Sequence, residues 1–511
     1  MGGDGASVLV VGSGGREHAM AWKLSHSQLV AKVLVAPGNG GTAASGKGAA
    51  GASKIENVPK SELNVDDNEA VVRFCREKQI ELVVVGPEVP LVNGIADALR
   101  EANIPCFGPS KLAARLEGSK AFSKAFMIRH NIPTAEFRSF TDYEAAVKYV
   151  REVTTKHKVV VKASGLAAGK GVILPDTTEE AVDALKSIMV DKELGAEAGA
   201  EVVVEELMDG PEVSVFAFSD GERVHLLPPA QDHKRIFDGD KGPNTGGMGA
   251  YCPAPVLTKE LETFVRKNIV ERTVAGARAE GFPFVGLLYT GLMLTSAGPK
   301  VLEYNCRFGD PETQAVLMLL RSDLYKIMLA CDEGNLVNAG PIECKQGYSA
   351  ATVVAASKGY PGSYEKGKRI TGIADADAFA GVKVFQAGTA LTGTDDSTLV
   401  TSGGRVLAVS ACSRSLEEAL LLAYNGMRKI NFEGMQYRQD IGHRAIGGRS
   451  AGALSSGTPS GAAPRELLAR AKEALADPQN AVGLAVAVAG IAVLTAVLVA
   501  RSLSTSSSSS A

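Results

Sequence analysis

The sequence predicts an α/β protein with an N-terminal parallel-sheet domain, a central α+β domain, a smaller C-terminal domain and, after these, a single hydrophobic helix. Three observations carry this expectation. Residues up to about 110 alternate strand-like and helix-like stretches, the pattern of a parallel sheet covered on both faces. Val159–Ile173 reads as strand, glycine-rich loop, strand. Val301–Thr313 places Glu303, Asn305 and Arg307 on alternate positions of an apolar-flanked run. A chain of 511 residues exceeds one core, and the breaks fall into 1–110, 111–330 and 340–445.

In the first region the expected elements are strands Val8–Val11, Val33–Ala36 and Leu82–Val85 and helices Arg16–His26, Glu69–Lys78 and Ile95–Asn103. Ligands of such sheets bind beyond the carboxyl ends of the strands. Two turns stand there, Gly12–His18 and Gly86–Glu88. The first departs from a dinucleotide fingerprint, because Glu17 replaces the third glycine and no ribose-binding acid ends the second strand. NAD is therefore not expected. A helix N-terminus flanked by Arg16 instead suits a phosphate monoester.

In the second region, glycines between Lys162 and Lys170 let backbone donors fold around phosphate oxygens. The loop is no Walker A motif, since Gly171 and a strand-like run follow Lys170 where Ser or Thr and a helix are required. Next, Glu201–Gly210 reads as a buried strand entering a turn, with main-chain groups for a purine edge and Glu212 for ribose hydroxyls. Gln231–Arg235 and Gly242–Gly249 are dense in functional groups, and His233, amid charges, is expected at the surface. On a strand, Glu303, Asn305 and Arg307 share one face while Leu302, Tyr304 and Cys306 pack the other. A carboxylate and an amide oxygen suit a hard cation that also takes phosphate oxygens, and the arginine meets the remaining phosphate charge.

The third region holds strand-like Ala351–Ala356, Val382–Gln386 and Val406–Ser410 and a helical Leu416–Ile430, without a cluster of reactive side chains. It is expected to close the site or support the fold. With 54 basic and 57 acidic residues there is no net field to recruit nucleic acid. Seven scattered cysteines without a Cys-x-x-Cys pair argue against a disulfide framework or zinc, and for a reducing, cytosolic setting. No targeting segment is expected before the first strand, and Ala6 stands where myristoylation needs Ser or Thr. A Gly/Ser/Ala-rich linker (446–463) and an amphipathic stretch (464–478) precede an uncharged run at 481–500, long enough as a helix to cross a bilayer. The expectation is a membrane tail anchor.

The chain resembles phosphoribosylamine–glycine ligases of the ATP-grasp superfamily. The resemblance runs from Val8 to about Ala445 through GGREHA (14–19), APGN (36–39), VGPEVPLV (85–92), LEGSKAF (116–122), GLAAGKGV (165–172), QDHKR (231–235), GPNTGGMGAY (242–251), YNCRFGDPETQ (304–314) and YRQDIGHRA (437–445). It implies an α+β ATP-grasp fold with a mobile lid at about 125–195. The implied reaction joins glycine to 5-phosphoribosylamine with ATP through a glycyl phosphate, in de novo purine synthesis. By the same resemblance Lys120 and Lys162 meet the ATP phosphates, and Gly165, Ala168, Gly169, Lys170 and Gly171 cover them. Glu205, Glu206, Leu207, Met208 and Glu212 hold adenosine, and Glu303 and Asn305 bind Mg²⁺ or Mn²⁺. Arg307, with Lys162 and Asp310, serves the transfer step. Asp232, Lys234, Gly309 and Asp310 orient glycine and amine, and Gly14, Gly15, Arg16, Glu17, Pro87 and Glu88 take the ribose phosphate. The expected partners are these small molecules, a membrane through the tail and other purine-pathway enzymes.

Overall fold

The computed structural model describes residues 5–44, 54–167, 171–393 and 398–447. The expected linker beyond Gly447, the amphipathic stretch and the apolar run at 481–500 lie outside the described residues, as do Ala168, Gly169 and Lys170.

The N-terminal sheet is parallel throughout. Its strands β1 (Ala6–Gly12), β2 (Val30–Pro37), β3 (Ile55–Asn57), β4 (Leu82–Val85) and β5 (Cys106–Phe107) lie in the order β3-β2-β1-β4-β5. Helices α1 (Gly15–Ser25), α2 (Gly40–Ala44), α3 (Asn68–Glu77), α4 (Glu88–Val92) and α5 (Ile95–Glu101) fill the connections. The expected alternation is present. The three-residue β3, two-residue β5 and five-residue α2 and α4 were not anticipated, being too short for a periodic signal. Val8, Val10, Val33, Val35 and Val84 on one face and Leu9, Val11, Val83 and Val85 on the other are fully buried or nearly so, as a parallel sheet covered on both faces demands.

Helices α6 (Lys111–Gly118) and α7 (Lys120–Arg129) lead to a small sheet with its own core. Its strands β6 (Phe137–Phe140), β7 (Val159–Ala163), β8 (Val172–Ile173) and β9 (Val202–Glu206) run in the order β6-β9-β7-β8. Val159, Val161, Val202 and Val204 pack beneath α8 (Tyr143–Val153) and α9 (Thr178–Met189), apart from the larger clusters.

The chain then forms β10 (Glu212–Asp220) and β11 (Val224–Leu226), four short strands β12 (Gln231–Asp232), β13 (Arg235–Phe237), β14 (Lys241–Asn244) and β15 (Gly249–Cys252), and the long hairpin β16 (Val285–Thr295) and β17 (Gly298–Asn305). Strands β11-β10-β16-β17 make one antiparallel sheet. Helices α10 (Lys259–Val265) and α11 (Glu271–Ala279), joined by a π-helical turn, pack behind it; α12 (Glu312–Leu319) and α13 (Leu324–Asp332) follow.

The third region supplies β18 (Ser349–Ser357), α14 (Ile373–Asp377), β19 (Val382–Gln386), the hairpin β20 (Thr389–Thr392) and β21 (Thr398–Thr401), β22 (Arg405–Ser413) and α15 (Leu416–Met427). The three strands and the helix expected there are present. Its sheet recruits β12 and β15, in the order β12-β15-β18-β22-β19. Residues 231–252 are therefore fastened to the third region as well as the second. Among the described residues no helix is long and apolar enough to cross a membrane.

Candidate functional site

Hairpin β16–β17 sets the centre of the site. Gly291 faces Glu303 and Tyr289 faces Asn305, but Leu292 pairs with Val301, so Leu302 is the extra residue of a β-bulge. This corrects the expected alternation. Tyr304 and Cys306 enter the core, as expected. Leu302 instead packs with Ala135, Met208 and Met293 and lines the cavities on the Glu303 side. Glu303, Asn305 and Arg307 border one cavity of about 550 Å³. Burial pushes the Glu303 carboxyl up, yet Lys234, Lys162, Lys120 and Arg307 together hold it below its ordinary value. Those four cations favour its ionised form.

Ser119 caps α7 by accepting from Phe122 N–H, and the Lys120 and Ala121 amides donate to Ser164, tying this helix to the start of the glycine-rich loop. Lys120 Nζ lies 3.4 Å from the Gly165 carbonyl oxygen. A Cβ at Gly165 would stand 2.9 Å from Ala198 Cα, so the close packing of the loop requires glycine. Val160 faces Glu205 across β7 and β9, which puts Lys162 and Glu205 diagonally on one face. Their ion pair is 2.9 Å long and buried. Lys124, one helical turn after Lys120, meets the same carboxylate oxygen at 2.9 Å.

A second cavity of about 530 Å³ adjoins the first. Val160, Val172, Leu174, Met208, Met293 and Leu302 give it apolar walls, and Glu206, Glu212, Lys234 and Asn244 line its polar side. The Glu206 amide donates to Glu136 and the Leu207 amide to Lys158. Lys300 sits 2.6 Å from the Glu206 carboxylate. The Glu212 carboxylate accepts from Lys234 Nζ at 2.6 Å. Burial lowers the Lys234 pKa, but Glu212, Asp232, Tyr289 and Glu303 outweigh it and hold the ammonium well above its ordinary value.

The N-terminal turn differs from the expected open anion site. Glu17 is 2% exposed, and its carboxylate accepts from the Gly14 amide at 2.5 Å and from Arg16 Nε at 2.7 Å. The helix thus caps itself with the third residue of its first turn, and one donor expected for phosphate is taken. Arg16 also donates to the Phe308 carbonyl at 3.0 Å and lines the first cavity with Pro87, Glu88, Asp310 and Arg405. Arg307 pairs with Glu117 at 2.8 Å and Glu88 at 3.4 Å. Burial raises the Glu117 carboxyl despite Arg307, whereas in Glu88 the cations prevail over burial and lower it.

Asp232 and Lys234 line both cavities. Burial, with Glu312 and Glu212 adding to it, pushes the Asp232 carboxyl up to about 7 against Lys234 and Arg444. Asp310 moves the other way, since Arg405 and Arg16 outweigh burial. Gly309 leaves room for Glu312, whose Oε2 would lie 2.7 Å from a Cβ there. His233, expected at the surface, is fully buried. Its Nε2 accepts the Gly442 amide at 3.2 Å, because the 437–445 segment covers it. The glycine-rich run also packs closely: Gly247 has φ +109°, and a Cβ there would stand 2.5 Å from Pro311 Cδ.

The structure therefore gathers Lys120, Lys162, Glu205, Asp232, Lys234, Glu303, Asn305, Arg307, Gly309 and Asp310 around the first cavity, with Arg16, Pro87 and Glu88 at one side. Glu206, Leu207, Met208 and Glu212 line the second. Gly14 and Gly15 shape the turn beneath. Sequence reasoning missed Lys124, Glu117, Glu312, Tyr289 and Arg405, all of which line the first cavity. Lys124 was detectable from its four-residue spacing from Lys120; Arg405 carried no local signal.

Three family profiles match in order: the N domain of phosphoribosylglycinamide synthetase over residues 6–117, its ATP-grasp (A) domain over 118–313 and its C domain over 350–444. The chain is 50% identical over 444 residues to a phosphoribosylamine–glycine ligase of Rhodopirellula baltica, covering 86% of this chain and 98% of that protein. It is 54% identical over 439 residues to the bifunctional purine biosynthetic protein ADE1 of Schizosaccharomyces pombe, covering 86% of this chain and 54% of that protein. The chain thus spans about half the length of the multifunctional relatives it matches. The crystal structure of phosphoribosylamine–glycine ligase from Thermotoga maritima superposes with a TM-score of 0.70 at 35% identity, covering 85% of this chain and all of that one.

Proposed function

The chain belongs to the phosphoribosylglycinamide synthetase (phosphoribosylamine–glycine ligase) family, and from that premise we propose that it joins glycine to 5-phosphoribosylamine with ATP, giving glycinamide ribonucleotide, ADP and phosphate. The observation that carries the reading is the anionic Glu303 beside Asn305 on a strand faced by Lys120, Lys162, Lys234 and Arg307, next to a cavity of nucleoside size with apolar walls and one polar side. Phosphoryl transfer needs such positioning and charge neutralisation more than a protein nucleophile.

A glycine carboxylate oxygen attacks the γ-phosphorus, the bond to the β-phosphate oxygen breaks, and ADP leaves. The amine of phosphoribosylamine then attacks the glycyl carbonyl, phosphate departs, and the amine loses a proton. Lys120, Lys162 and the loop of Gly165, Ala168, Gly169, Lys170 and Gly171 hold the phosphates. Glu206, Leu207 and Met208 border the base, and Glu212 releases Lys234 to take ribose hydroxyls. Arg307 meets the transferring phosphoryl group. Asp232, Lys234, Gly309 and Asp310 orient glycine and the amine. The ribose phosphate lies by Arg16, Pro87 and Glu88, with Arg405 opposite. Oxygen donors of this kind, one of them held ionised, fit Mg²⁺ or Mn²⁺; when bound, the ion neutralises phosphate charge. Among the described residues no group of three or more His, Cys, Asp or Glu could bind an ion alone, in keeping with an ion completed by phosphate oxygens.

The separate core of the β6–β9 sheet supports a lid over about 125–195. All seven cysteines are unpaired, which supports a reducing, cytosolic compartment. The uncharged run at 481–500 supports a membrane tether behind the linker. The pathway named in the relatives supports other purine enzymes as partners. The test of the central reading supplies the purified chain with phosphoribosylamine, glycine and MgATP. Glycinamide ribonucleotide accumulates in step with ADP; its absence from a folded preparation refutes the assignment.

A further inference from the structure

We infer that Lys124 is a positioning residue of the nucleotide site, holding Glu205 so that Lys162 is free to leave that carboxylate for the phosphates. Both ammonium groups lie 2.9 Å from the same oxygen, Glu205 Oε2. The other oxygen, Oε1, is buried and has no hydrogen-bond partner among the described residues. Two cations therefore share one acceptor atom. They differ in what else holds them. Lys124 is 2% exposed, and its Nζ donates to Thr134 Oγ1 at 2.7 Å, while Thr134 in turn donates to the Val301 carbonyl of β17 at 2.7 Å. Lys162 has no second anchor of that kind among the described residues and lines both cavities, whereas Lys124 lines only the first.

The physical consequence follows from the count of charges. A buried carboxylate paired with one lysine resists losing it, because separation strands an uncompensated charge at low dielectric. Pairing with two lets one depart while the other keeps the carboxylate neutralised. Burial lowers the Lys124 ammonium to about 8 against the pull of Glu205, so its charge depends on that partner. Thr134 fixes Lys124 to the metal-facing strand, which keeps it behind when Lys162 moves.

The inference rests on the nucleotide-site reading above, and a double-mutant cycle tests it. Full-length wild type, Lys124→Met, Glu205→Gln and the double variant are titrated with MgADP by calorimetry, with KM for ATP and for glycine measured in parallel. With Glu205 present, loss of Lys124 weakens MgADP at least about tenfold, near 1.4 kcal/mol, and raises KM for ATP while KM for glycine holds. In the Glu205→Gln background, removing Lys124 changes affinity less than about twofold, because no carboxylate remains to retain Lys162. Equal effects in both backgrounds, or none with Glu205, overturn the inference. A merely structural Lys124 would shift both KM values together. Should K124M not fold, Lys124→Gln, which keeps donors toward Glu205 and Thr134 without the charge, takes its place. Failure of wild type to bind MgADP at all refutes the nucleotide reading and this inference with it; binding by wild type with an additive cycle refutes this inference alone.

Discussion

Arg405 Nη1 donates to the main-chain oxygen of Asp310 at 2.8 Å, joining the first residue of β22 to the turn that follows β17. Its Nη2 lies 3.5 Å from the Asp310 carboxylate, and Nη1 also donates to the Gly246 carbonyl at 2.6 Å. One guanidinium thus ties the third region to two loops of the site and presents charge to the side lined by Arg16 and Glu88. The third region is a working wall of the cavity, more than a support.

Arg405→Ala is expected to raise KM for phosphoribosylamine about tenfold to a hundredfold, the worth of charge-assisted hydrogen bonds at about 1.5–3 kcal/mol. MgADP affinity stays near wild type, since Arg405 does not line the second cavity. Steady-state kinetics with each substrate varied in turn, alongside calorimetry, separates the two. An equal loss for both ligands would mean that Arg405 merely supports the fold.

Glu303→Ala removes the anionic oxygen on which Lys234, Lys162, Lys120 and Arg307 converge. Product formation should fall by at least about a hundredfold, while the thermal transition stays cooperative, because the half-buried side chain faces a cavity. Raising the Mg²⁺ or Mn²⁺ concentration should recover part of the loss. Full turnover by a folded E303A protein would remove the metal from this strand.

The sequence was most informative where chemistry follows local periodicity. Glu303 and Asn305 lie on a regular stretch of β17, so alternation placed them correctly. Leu302 escaped the same rule because a bulge depends on the register against β16, which only pairing reveals. His233 was misplaced because its burial comes from Gly442, more than two hundred residues away. Arg405 and Glu117 enter by long-range contacts of the same kind. Glu17 could have been read as a capping residue from its place three after Gly14, but a glycine-rich turn drew attention to an external anion.

His18 sets a limit on acid stability. The residue is 2% exposed, its Nδ1 accepts the Gln386 amide of β19 at 2.9 Å, and burial with Lys383 lowers its pKa to about 3. The folded state therefore binds fewer protons than the unfolded chain between the ordinary value of 6.5 and about 3. Its contribution is complete above pH 6.5 and is lost as pH falls through the folded value, at up to about 1.4 kcal/mol per pH unit. In urea titrations at about pH 7, 5.5 and 4.5, on either side of the unfolded value, His18→Gln should be less stable than wild type at neutral pH, with the gap narrowing on acidification. A gap independent of pH would show that His18 does not titrate between the states.

The proposed tether makes a prediction independent of the chemistry. Cells expressing the full chain should yield it in the membrane fraction, released by detergent and retained in high salt, while a chain stopped at Ser450 should be recovered in the supernatant. About 20 uncharged residues at 481–500 suffice for a span. Equal solubility of the two chains would discard the anchor and leave the catalytic reading untouched.

Three glycines make the space that Glu17 occupies. A Cβ at Gly86 would stand 2.0 Å from Glu17 Oε1, one at Gly12 would stand 2.6 Å from its Cγ, and one at Gly14 would stand 2.7 Å from its Oε2. The side chain cannot simply swing clear, because it is buried and bound to Gly14 and Arg16. Gly86→Ala should then cost about 1–3 kcal/mol by overpacking and weaken phosphoribosylamine through the displaced Arg16. Glu17→Ala also destabilises, by leaving the Gly14 amide and Arg16 without their acceptor. The double variant should be no less stable than E17A alone, since the added methyl then enters vacated space. Urea unfolding of the four proteins measures the coupling; additive losses would mean that Gly86 answers to backbone geometry and not to the Glu17 carboxylate.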